Sequence, residues 1–513
     1  MTFWQENRLR KPRWKLTDVV RGLRGPARWD PILQWGAAGL VGLFLGVYSL
    51  VVWSLPSKWA MLSIPVVLAP FVAMVFGQVK KLLLAVILLD IPFQLDSFFA
   101  YRESALGGAV PGLIVSVTTL SLAVLYMLWL AELLAKPREA RARSLFRLVF
   151  PLASYMTLAV LSVIAAKDVQ LSIFGIFLLV QMFLLYIYVV GTVRTSKEIV
   201  FIFTMLLIGL ALEGLIMSGL RIIGHSIEIG GVITARIDGG SRVGGTVGGP
   251  NGAAAYLSLM LAPALSIVLT RLDSLHKLLA IVAFGLGVIA LVLTLSRGGW
   301  LAFSLSVAVL CFFAWRRGWL SLSGPLVAGV VALLLIFIFQ DVIIGRLLGG
   351  DSGSADSRVP LLIIAYRVIV NNPILGVGIN NFTVRMFEYA QLDVVAFWPY
   401  AVHNNFMLIW AETGTAAIIA YLAFLAVTIY HGWKCWLSRD RLLSPLALGF
   451  TVAIVGHMVH MLFDLFNGRG PVQALWLNAG LVTAMFCICQ ENTSLDGAAA
   501  QKARTPSRTE RAS

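Results

Sequence analysis

The chain has 513 residues, of which 59% are hydrophobic and only 13% are charged, and its formal net charge is +15. Soluble domains carry about a quarter charged residues, so this composition excludes an ordinary soluble enzyme and indicates a membrane protein. The basic residues lie mainly in short segments between apolar runs. The positive charge therefore does not indicate a nucleic-acid partner.

Apolar runs of about 17 to 25 residues recur along the chain, and each is long enough to cross a hydrocarbon core of about 30 Å. Runs such as Val331–Phe339 are apolar on every face, which favours helices over the alternating strands of a membrane barrel. We therefore expect an all-α fold, a polytopic transmembrane bundle of about 14 helices. The predicted spans are 31–53, 58–78, 82–96, 109–132, 147–166, 170–190, 199–222, 250–270, 277–295, 299–315, 320–340, 404–430, 443–465 and 472–489.

The third predicted span, 82–96, is short and contains Asp90 and Pro92. A re-entrant segment is an alternative for it. Removing this span from the topology would invert the pattern of basic residues in the segments that precede it.

The distribution of basic residues predicts the orientation of the chain. Most of the 40 Lys and Arg residues fall on one side of the bundle, for example at Lys80-Lys81, Arg138–Arg147 and Arg316-Arg317. By the positive-inside rule this side is cytoplasmic, and it holds both termini. We expect a basic cytoplasmic tail over 1–30, N-terminal helices over 31–222 and a disordered cytoplasmic tail over 490–513.

Two long loops, 223–249 and 341–403, lie on the opposite, outer side. A loop of about sixty residues in a protein of otherwise tight turns is usually functional or disordered. The second loop has the features of an ordered one, because Ser357 can cap a helix that runs from Arg358 to about Val370. A break at 371–373 ends that helix, and two following glycines, Gly376 and Gly378, supply a bend.

The outer loops contain arginine but no lysine. A guanidinium group holds phosphate oxygens bidentately, so these arginines favour recognition of a phosphate or pyrophosphate group. The alternative is that they reach lipid headgroups or pair with loop acids such as Asp351, Asp356 and Glu388. The arginines are Arg236, Arg242, Arg346, Arg358, Arg367 and Arg385, with Arg297 in the tight outer turn 296–299.

A glycine-rich segment runs from Arg242 to Asn251 and leads directly into a predicted span. Closely spaced glycines before a helix let backbone N–H groups approach an anion at the positive end of the helix dipole. A flexible turn that leads into a membrane helix explains the same pattern.

Several ionisable residues fall at or near the outer ends of predicted spans. His403 begins one such span, followed by Glu412, and an imidazole near arginines is suited to act as a general base for a hydroxyl group. His457, His460 and Asp464 share one helix face, which is expected to line the same outer cavity or, alternatively, to contribute to a metal site. Asp90 and Glu213 are intramembrane acids, suited to an ion pathway or to hydrogen bonding between helices.

Taken in order, these motifs resemble the O-antigen ligase and O-antigen polymerase superfamily of bacterial envelope polysaccharide enzymes. The resemblance runs from about Arg242 to Gly480, close to half of the chain. Family members commonly have fewer helices than expected here, so the first 240 residues are less closely covered. The motifs are Arg242–Asn251, Ser296-Arg297-Gly298-Gly299-Trp300, Asn372–Gly378 with Phe382, and His403-Asn404-Asn405-Phe406 followed by Glu412-Thr413-Gly414.

The resemblance implies an inverting, metal-independent glycosyl transfer at the periplasmic face of the bacterial inner membrane. The donor would be a polyprenyl-pyrophosphate-linked saccharide and the acceptor a glycan, a lipid or a protein, with the envelope polysaccharide machinery as a further partner. The resemblance places the ligase-like domain at 223–489. It implies that His403 is the base, that Arg297 and Arg358 hold the pyrophosphate, and that no cofactor is needed. The expected substrate-binding residues are Arg242, Asn251, Asn404, Glu412, His457 and His460.

Two other functions remain open from the sequence. A transporter or flippase, for bicarbonate or a lipid-linked substrate, would suit the intramembrane acids, although no inverted repeat is visible. A structural subunit of an envelope complex is the other alternative. Within the enzymatic interpretation, the residues do not separate a polymerase from a ligase.

Overall fold

The computed structural model describes residues 78–105, 107–135, 145–230, 232–239, 241–320, 358–391 and 399–504, together with Gly46. The predicted spans 31–53, 58–78 and 320–340 and the tail 1–30 lie almost entirely outside these residues. Contacts divide the chain into a unit of residues 1–82 and a unit of residues 83–513. Since the first unit is described only at Gly46 and 78–82, the architecture below is that of the second.

The described part of the chain is mainly helical. The helices are α1 (Val79–Phe93), α2 (Val117–Ala135), α3 (Leu145–Leu161), α4 (Val169–Thr192), α5 (Ser196–Ile223), α6 (Pro250–Ser266), α7 (Ser274–Leu293), α8 (Arg297–Arg316), α9 (Arg358–Asn371), α10 (Phe382–Tyr389), α11 (Asn405–Thr413), α12 (Thr415–Trp436), α13 (Leu443–His460) and α14 (Arg469–Arg504).

Polar caps begin many of these helices. Asp168, Thr195, Asp273, Ser296 and Asn404 each precede a helix, and each side chain accepts a hydrogen bond from a backbone N–H of the first turn. Such caps satisfy N–H groups that have no partner within the helix. The sequence thus fixes where α4, α5, α7, α8 and α11 start.

Nine helices in the described residues are long and apolar enough to cross a membrane, and they coincide with nine of the predicted spans. They are Arg147–Ala165, Val169–Thr192, Ser196–Ile223, Pro250–Leu269, Ser274–Leu293, Arg297–Arg316, Thr415–Trp436, Leu443–His460 and Arg469–Thr493. The polytopic helical bundle is therefore confirmed. The total of about 14 spans stays a prediction, because three predicted spans lie almost entirely outside the described residues and two others, 82–96 and 109–132, are not among the nine.

Four predicted boundaries were wrong. The span predicted at 404–430 is two helices, α11 and α12, because Gly414 adopts a positive φ between them. The span predicted at 109–132 becomes helical only at Val117, and that predicted at 82–96 is a helix only to Phe93. The tail predicted to be disordered from 490 is helical as far as Arg504, through an alanine-rich stretch of high helix propensity.

The centre of the bundle consists of α6, α13 and α14, whose apolar segments are the most buried of the nine candidate spans. Small residues allow close packing there. A side chain at Gly456 of α13 would collide with Ser306 and with the carbonyl oxygen of Ala302 on α8, so the two helix backbones lie close together. This is the usual way in which membrane helices associate, because apolar burial alone does not favour helix pairs in lipid.

Strands cover one end of the bundle, which we call the loop face. β1 (Asp96–Phe99) pairs with β2 (Leu113–Ser116) as an antiparallel hairpin, with Asp96 opposite Ser116. A three-stranded antiparallel sheet has the order β3 (Ile227–Ile229), β4 (Ile233–Asp238) and β5 (Arg242–Gly245). Neither sheet was predicted, since the first lies partly within predicted spans and the second within the loop 223–249.

A buried ion-pair network joins the hairpin to α14. The Arg469 guanidinium pairs with Asp90 at 3.0 Å and with Asp96 at 2.8 Å, and it donates to Gln473 at 2.7 Å. Asp90 also accepts a hydrogen bond from Thr118 at the start of α2. Asp90 thus bonds one helix to another, which is the second of the two roles considered for it from the sequence. The same network fixes the hairpin on the loop face.

Candidate functional site

Arg242 connects the three-stranded sheet to two helix starts. Its Nε donates to the carbonyl oxygen of Thr294 at 3.2 Å, and its terminal nitrogen donates to Asn251 Oδ1 at 2.7 Å. Thr294 lies just before α8, and Asn251 lies in the first turn of α6. The arginine therefore lies where the glycine-rich segment, α6 and the start of α8 meet.

Glu213 of α5 holds the glycine-rich segment by hydrogen bonds. The Glu213 carboxylate accepts hydrogen bonds from the backbone N–H and the hydroxyl group of Thr246, and the same hydroxyl lies 2.8 Å from the carbonyl oxygen of Pro92. A side chain at Gly245, which has φ +63°, would collide with the Glu213 carboxylate. Glu213 thus holds the glycine-rich segment by hydrogen bonds. Of the two roles considered for Glu213 from the sequence, this is the hydrogen-bonding one.

The turn before α8 brings Arg297 to the loop face. Ser296 caps the helix, and Arg297 is its first residue. The next residue, Gly298, lies against the His460 ring, because a side chain at Gly298 would come within 2.6 Å of His460 Cδ2. The sequence motif at 296–300 and the histidine of α13 are therefore neighbours in space.

Arg358, His403 and Asp464 form an electrostatic cluster. Burial, and next the nearby positive charge of Arg358, lowers the pKa of His403 from 6.5 to about 4. Burial raises the pKa of Asp464 to about 6, against the opposing effects of Arg358 and Arg242, which both lower it. Arg358 thus lies within electrostatic reach of both His403 and Asp464, Arg242 lies within reach of Asp464, and the imidazole is neutral near pH 7.

Two buried nitrogens in this cluster lack a hydrogen-bond partner among the residues that the structure describes. They are Nδ1 of His403 and Nε of Arg358. Buried polar groups in folded proteins are nearly always paired, and exceptions are common where a ligand binds. These two nitrogens are therefore the best candidates for contacts with a substrate.

The position of His403 is fixed by the residues on both sides of it. The Tyr400 ring lies over the imidazole, with ring centroids 5.2 Å apart. Asn404 caps α11 by accepting from Met407 N at 3.0 Å, and Asn405 N donates to Met461 O at 2.8 Å at the end of α13. His403 is thus next to residues that are bonded at two helix ends.

Glu412 lies near the end of the short helix α11, and it holds the loop that follows α9. Its Oε1 accepts from Phe382 N at 3.1 Å, and Gly378 N donates to its backbone carbonyl oxygen at 2.9 Å. Gly376 and Gly378 have φ values of +66° and +94°, so the predicted bend is confirmed. The motifs at 372–378 and 412–414 therefore pack against each other as one unit.

Glu412 and His457 line an internal cavity of about 80 Å³, together with Asn380, Asn405 and Trp476. His403, Arg358 and Arg242 are absent from its described lining. Both ring nitrogens of His457 and of His460 are buried without a partner among the described residues, and the two rings flank Phe466. In the described part of the chain, His457, His460 and Asp464 do not form a group arranged to hold a metal ion.

The predicted site residues thus fall into three sets. Arg358 and His403 belong to the electrostatic cluster with Asp464, which Arg242 also influences, and Asn251 and Asn404 hold Arg242 and the helix after His403. Arg297 precedes Gly298, which lies against His460, and Glu412 and His457 line the internal cavity. The sequence interpretation missed Tyr400 and the hairpin loop against which it packs. No spacing or composition signal marks either of them.

The segment 280–422 matches the family model described as O-antigen ligase. Over these residues the chain is similar to the O-antigen ligase family. The matched segment contains Arg297, Arg358, His403 and Glu412, whereas Arg242 and the two histidines of α13 lie outside it. The match supports the resemblance that the motifs predicted, and the apolar helices indicate a polytopic membrane protein.

Among solved structures, the chain is similar to one from a study titled "Structural coordination of polymerization and crosslinking by a peptidoglycan synthase complex". The identity is 18%, the match covers 67% of this chain and 98% of the other, and the TM-score is 0.37, a likeness that carries no argument. No curated protein matches the sequence of this chain.

Proposed function

We propose that this protein is an inverting, metal-independent glycosyltransferase of the O-antigen ligase type. It moves a saccharide from a polyprenyl pyrophosphate to a glycan, lipid or protein acceptor. The observation that carries the proposal is that His403 and Arg358 lie close enough for the arginine charge to act on the imidazole, and that each has a buried nitrogen without a partner among the described residues. A neutral base beside a fixed cation matches a reaction in which a hydroxyl group loses a proton and a phosphate group leaves.

In the proposed reaction, the acceptor hydroxyl oxygen attacks the anomeric carbon while the bond from that carbon to the pyrophosphate oxygen breaks. The hydroxyl proton passes to His403, and the pyrophosphate leaves with the bonding electrons. A single displacement of this kind inverts the anomeric configuration. The lowered pKa of His403 leaves the ring unprotonated at neutral pH, and the negative charge of a bound pyrophosphate would raise this pKa toward the range in which a general base is most effective.

The proposed pyrophosphate site consists of Arg358 and Arg297, with Arg242 assisting. Guanidinium groups at the leaving oxygens stabilise the charge that develops there, an effect worth roughly 10² to 10³ in rate for a single well-placed donor. The first turn of α8 adds the positive end of a helix dipole next to Arg297. Asp464, close to both Arg358 and Arg242, would keep these side chains in place.

The other predicted substrate-binding residues have supporting roles in this proposal. Asn251 orients Arg242, and Asn404 fixes the helix that follows the base. His460 supports the turn that carries Arg297. Glu412 and His457 contribute from the internal cavity, where Glu412 holds the loop after α9.

An apolar groove beside His403 supports a lipid-linked donor. It has a volume of about 510 Å³, begins at Asn404 and Leu462 and continues along α12 past Ile419 and Leu422. Its wall on α11 is formed by Phe406, Met407 and Trp410. We assign this groove to the polyprenyl chain of the donor, because Asn404 at one end of it is the residue next to His403 and its other end, at Ile419 and Leu422, is exposed on a membrane helix.

The proposed location is the bacterial inner membrane, with both termini in the cytoplasm and the loop face in the periplasm. The excess of Lys and Arg on the other side supports this orientation. Lipid-linked saccharides and the machinery that makes envelope polysaccharides are the partners that this location implies.

Purified protein supplied with a polyprenyl-pyrophosphate-linked saccharide and an acceptor tests the proposal. We expect glycan transfer in the presence of EDTA and without any nucleotide, with one polyprenyl pyrophosphate released for each saccharide moved. Transfer that stops when EDTA is added would contradict the metal-independent mechanism. Movement of the intact lipid-linked saccharide across a vesicle membrane without transfer would indicate a flippase instead.

A further inference from the structure

The loop of the hairpin 96–116, residues 100–112, is described by the structure except at position 106, and it reaches the segment that carries His403. Gly107 pairs with Tyr400 as an isolated parallel bridge, and Ala401 N donates to the Gly107 carbonyl oxygen at 3.0 Å. A side chain at Gly107 would lie 2.3 Å and 2.5 Å from two carbons of the Tyr400 ring. The ring therefore rests directly on the glycine backbone.

The Tyr400 ring also contacts the imidazole of His403, the base of the proposed reaction. The ring centroids of Tyr400 and His403 are 5.2 Å apart, with a tilt of 31° between the rings. Tyr400 thus contacts both the hairpin loop and His403. A displacement of its ring would therefore change the surroundings of the imidazole.

The hairpin loop is firmly held, so it can act as a fixed surface. Asn380 accepts from Val110 N at 2.8 Å and donates to the Val110 carbonyl oxygen at 3.0 Å. Asn467, in the turn after α13, donates to the Gly108 carbonyl oxygen. Next to it, a side chain at Gly108 would collide with Ala401. The loop is therefore attached to the loop after α9 and to the turn after α13.

We propose that the hairpin loop 100–112, which lies outside the matched segment 280–422, is a wall of the active site that positions His403 through Tyr400. Gly107 and Tyr400 are positioning residues, since neither is required to touch the substrate. The proposal rests on the proposed function of His403 as the base. It adds that the N-terminal part of the chain completes the site.

The test is the variant Gly107→Ala, with Gly219→Ala on α5 as the matched control. A side chain at Gly219 would meet nothing within 4 Å, whereas one at Gly107 must displace the Tyr400 ring. We expect kcat for glycan transfer to fall between about tenfold and about a hundredfold in Gly107→Ala, since misplacement by about 1 Å can cost that much. The KM for the donor should change little, and Gly219→Ala should match the wild type.

The pH profile separates positioning from a loss of folded protein. The groups that face His403 are Arg358 and Tyr400, and Asp464 faces both of these, while the glycines of the hairpin loop bring no charge. In the wild type, kcat/KM should fall only as the pH drops toward about 4, where the imidazole becomes protonated. Displacing Tyr400 admits water to the ring, so in Gly107→Ala this fall should begin at a higher pH.

Tyr400 variants complete the test. Tyr400→Ala should lower kcat as Gly107→Ala does, Tyr400→Phe should restore most of the rate, and the double variant with Gly107→Ala should be no worse than Tyr400→Ala alone. An additive double variant, or an unchanged kcat and pH profile in Gly107→Ala, would overturn the proposal.

A readout independent of glycan transfer is the rate at which diethyl pyrocarbonate acylates His403, measured by mass spectrometry with exposed His225 as the reference. His403 should react faster in Gly107→Ala than in the wild type. If the wild type transferred no glycan, this rate would still decide whether the hairpin loop positions the ring.

Discussion

Replacing His403 with alanine should lower the rate of glycan transfer by a factor of about 10² to 10⁴, the usual contribution of a positioned general base. The variant removes the only group near Arg358 whose lowered pKa leaves it neutral and basic at pH 7 in the described part of the site. The KM for the lipid-linked donor should change little, because the arginines that would hold the pyrophosphate remain. The measurement is the initial rate of transfer by purified protein in detergent or in vesicles.

The control for this variant is His225→Ala. His225 is exposed at the end of α5, so its loss should leave the rate unchanged. Both variants should elute from size exclusion like the wild type, since His403 Nδ1 makes no hydrogen bond with the described residues. A His403→Ala protein that retains wild-type rate would exclude His403 as the base.

Replacing Arg358 with alanine should lower the rate of transfer by about 10² to 10³, the effect of removing one donor that stabilises a leaving oxyanion. Arg358→Lys should recover only part of this loss, because an ammonium group cannot hold two phosphate oxygens in a fork. The matched control is Arg367→Ala on the same helix, whose guanidinium donates to the carbonyl oxygen of Tyr389. Steady-state rates over a range of donor concentrations provide the measurement.

The pH profile of Arg358→Ala has a predicted direction. Removing the positive charge takes away one of the two causes that lower the pKa of His403, so the pKa should rise toward 6.5. The rate should then begin to fall at a higher pH than in the wild type. Burial is the larger cause and remains, so the shift should be partial. A profile that moves to lower pH would contradict this placement of Arg358.

Sequence reasoning recovered the helical bundle because lipid imposes a simple rule on it. Every backbone polar group in the membrane needs an internal partner, so apolar runs of sufficient length become helices. This rule does not apply outside the hydrocarbon region, and most of the wrong predictions of helix boundaries and strands lie there. The break at Gly414 and the strands of the hairpin 96–116 depend on contacts with distant segments, such as Gly414 against Ile374 and Asp96 against Arg469.

The candidate site was predictable where chemistry alone restricts the residue type. Arginine without lysine in the outer loops and a histidine at the mouth of a span pointed to Arg358 and His403. The residues that hold them were not predictable. Tyr400 is an ordinary aromatic residue in sequence, and Gly107 is one glycine among 46, so only the fold reveals that the two are in contact.

Glu412 illustrates a further limit of the sequence. Its position after His403 suggested a role at the substrate, but its carboxylate faces backbone N–H groups of the loop after α9 and the internal cavity. Burial raises its pKa to about 7, although those N–H groups oppose the shift. The spacing of a motif identifies which residues belong together, but it does not tell which of them would reach the ligand.

The most direct test of the central claim is an experimental structure of the protein with a bound polyprenyl pyrophosphate. The account predicts phosphate oxygens within hydrogen-bonding distance of Arg358, the polyprenyl chain in the groove along α12, and His403 Nδ1 facing the open space next to the phosphates. A pyrophosphate bound at another face of the bundle, remote from both Arg358 and His403, would contradict it.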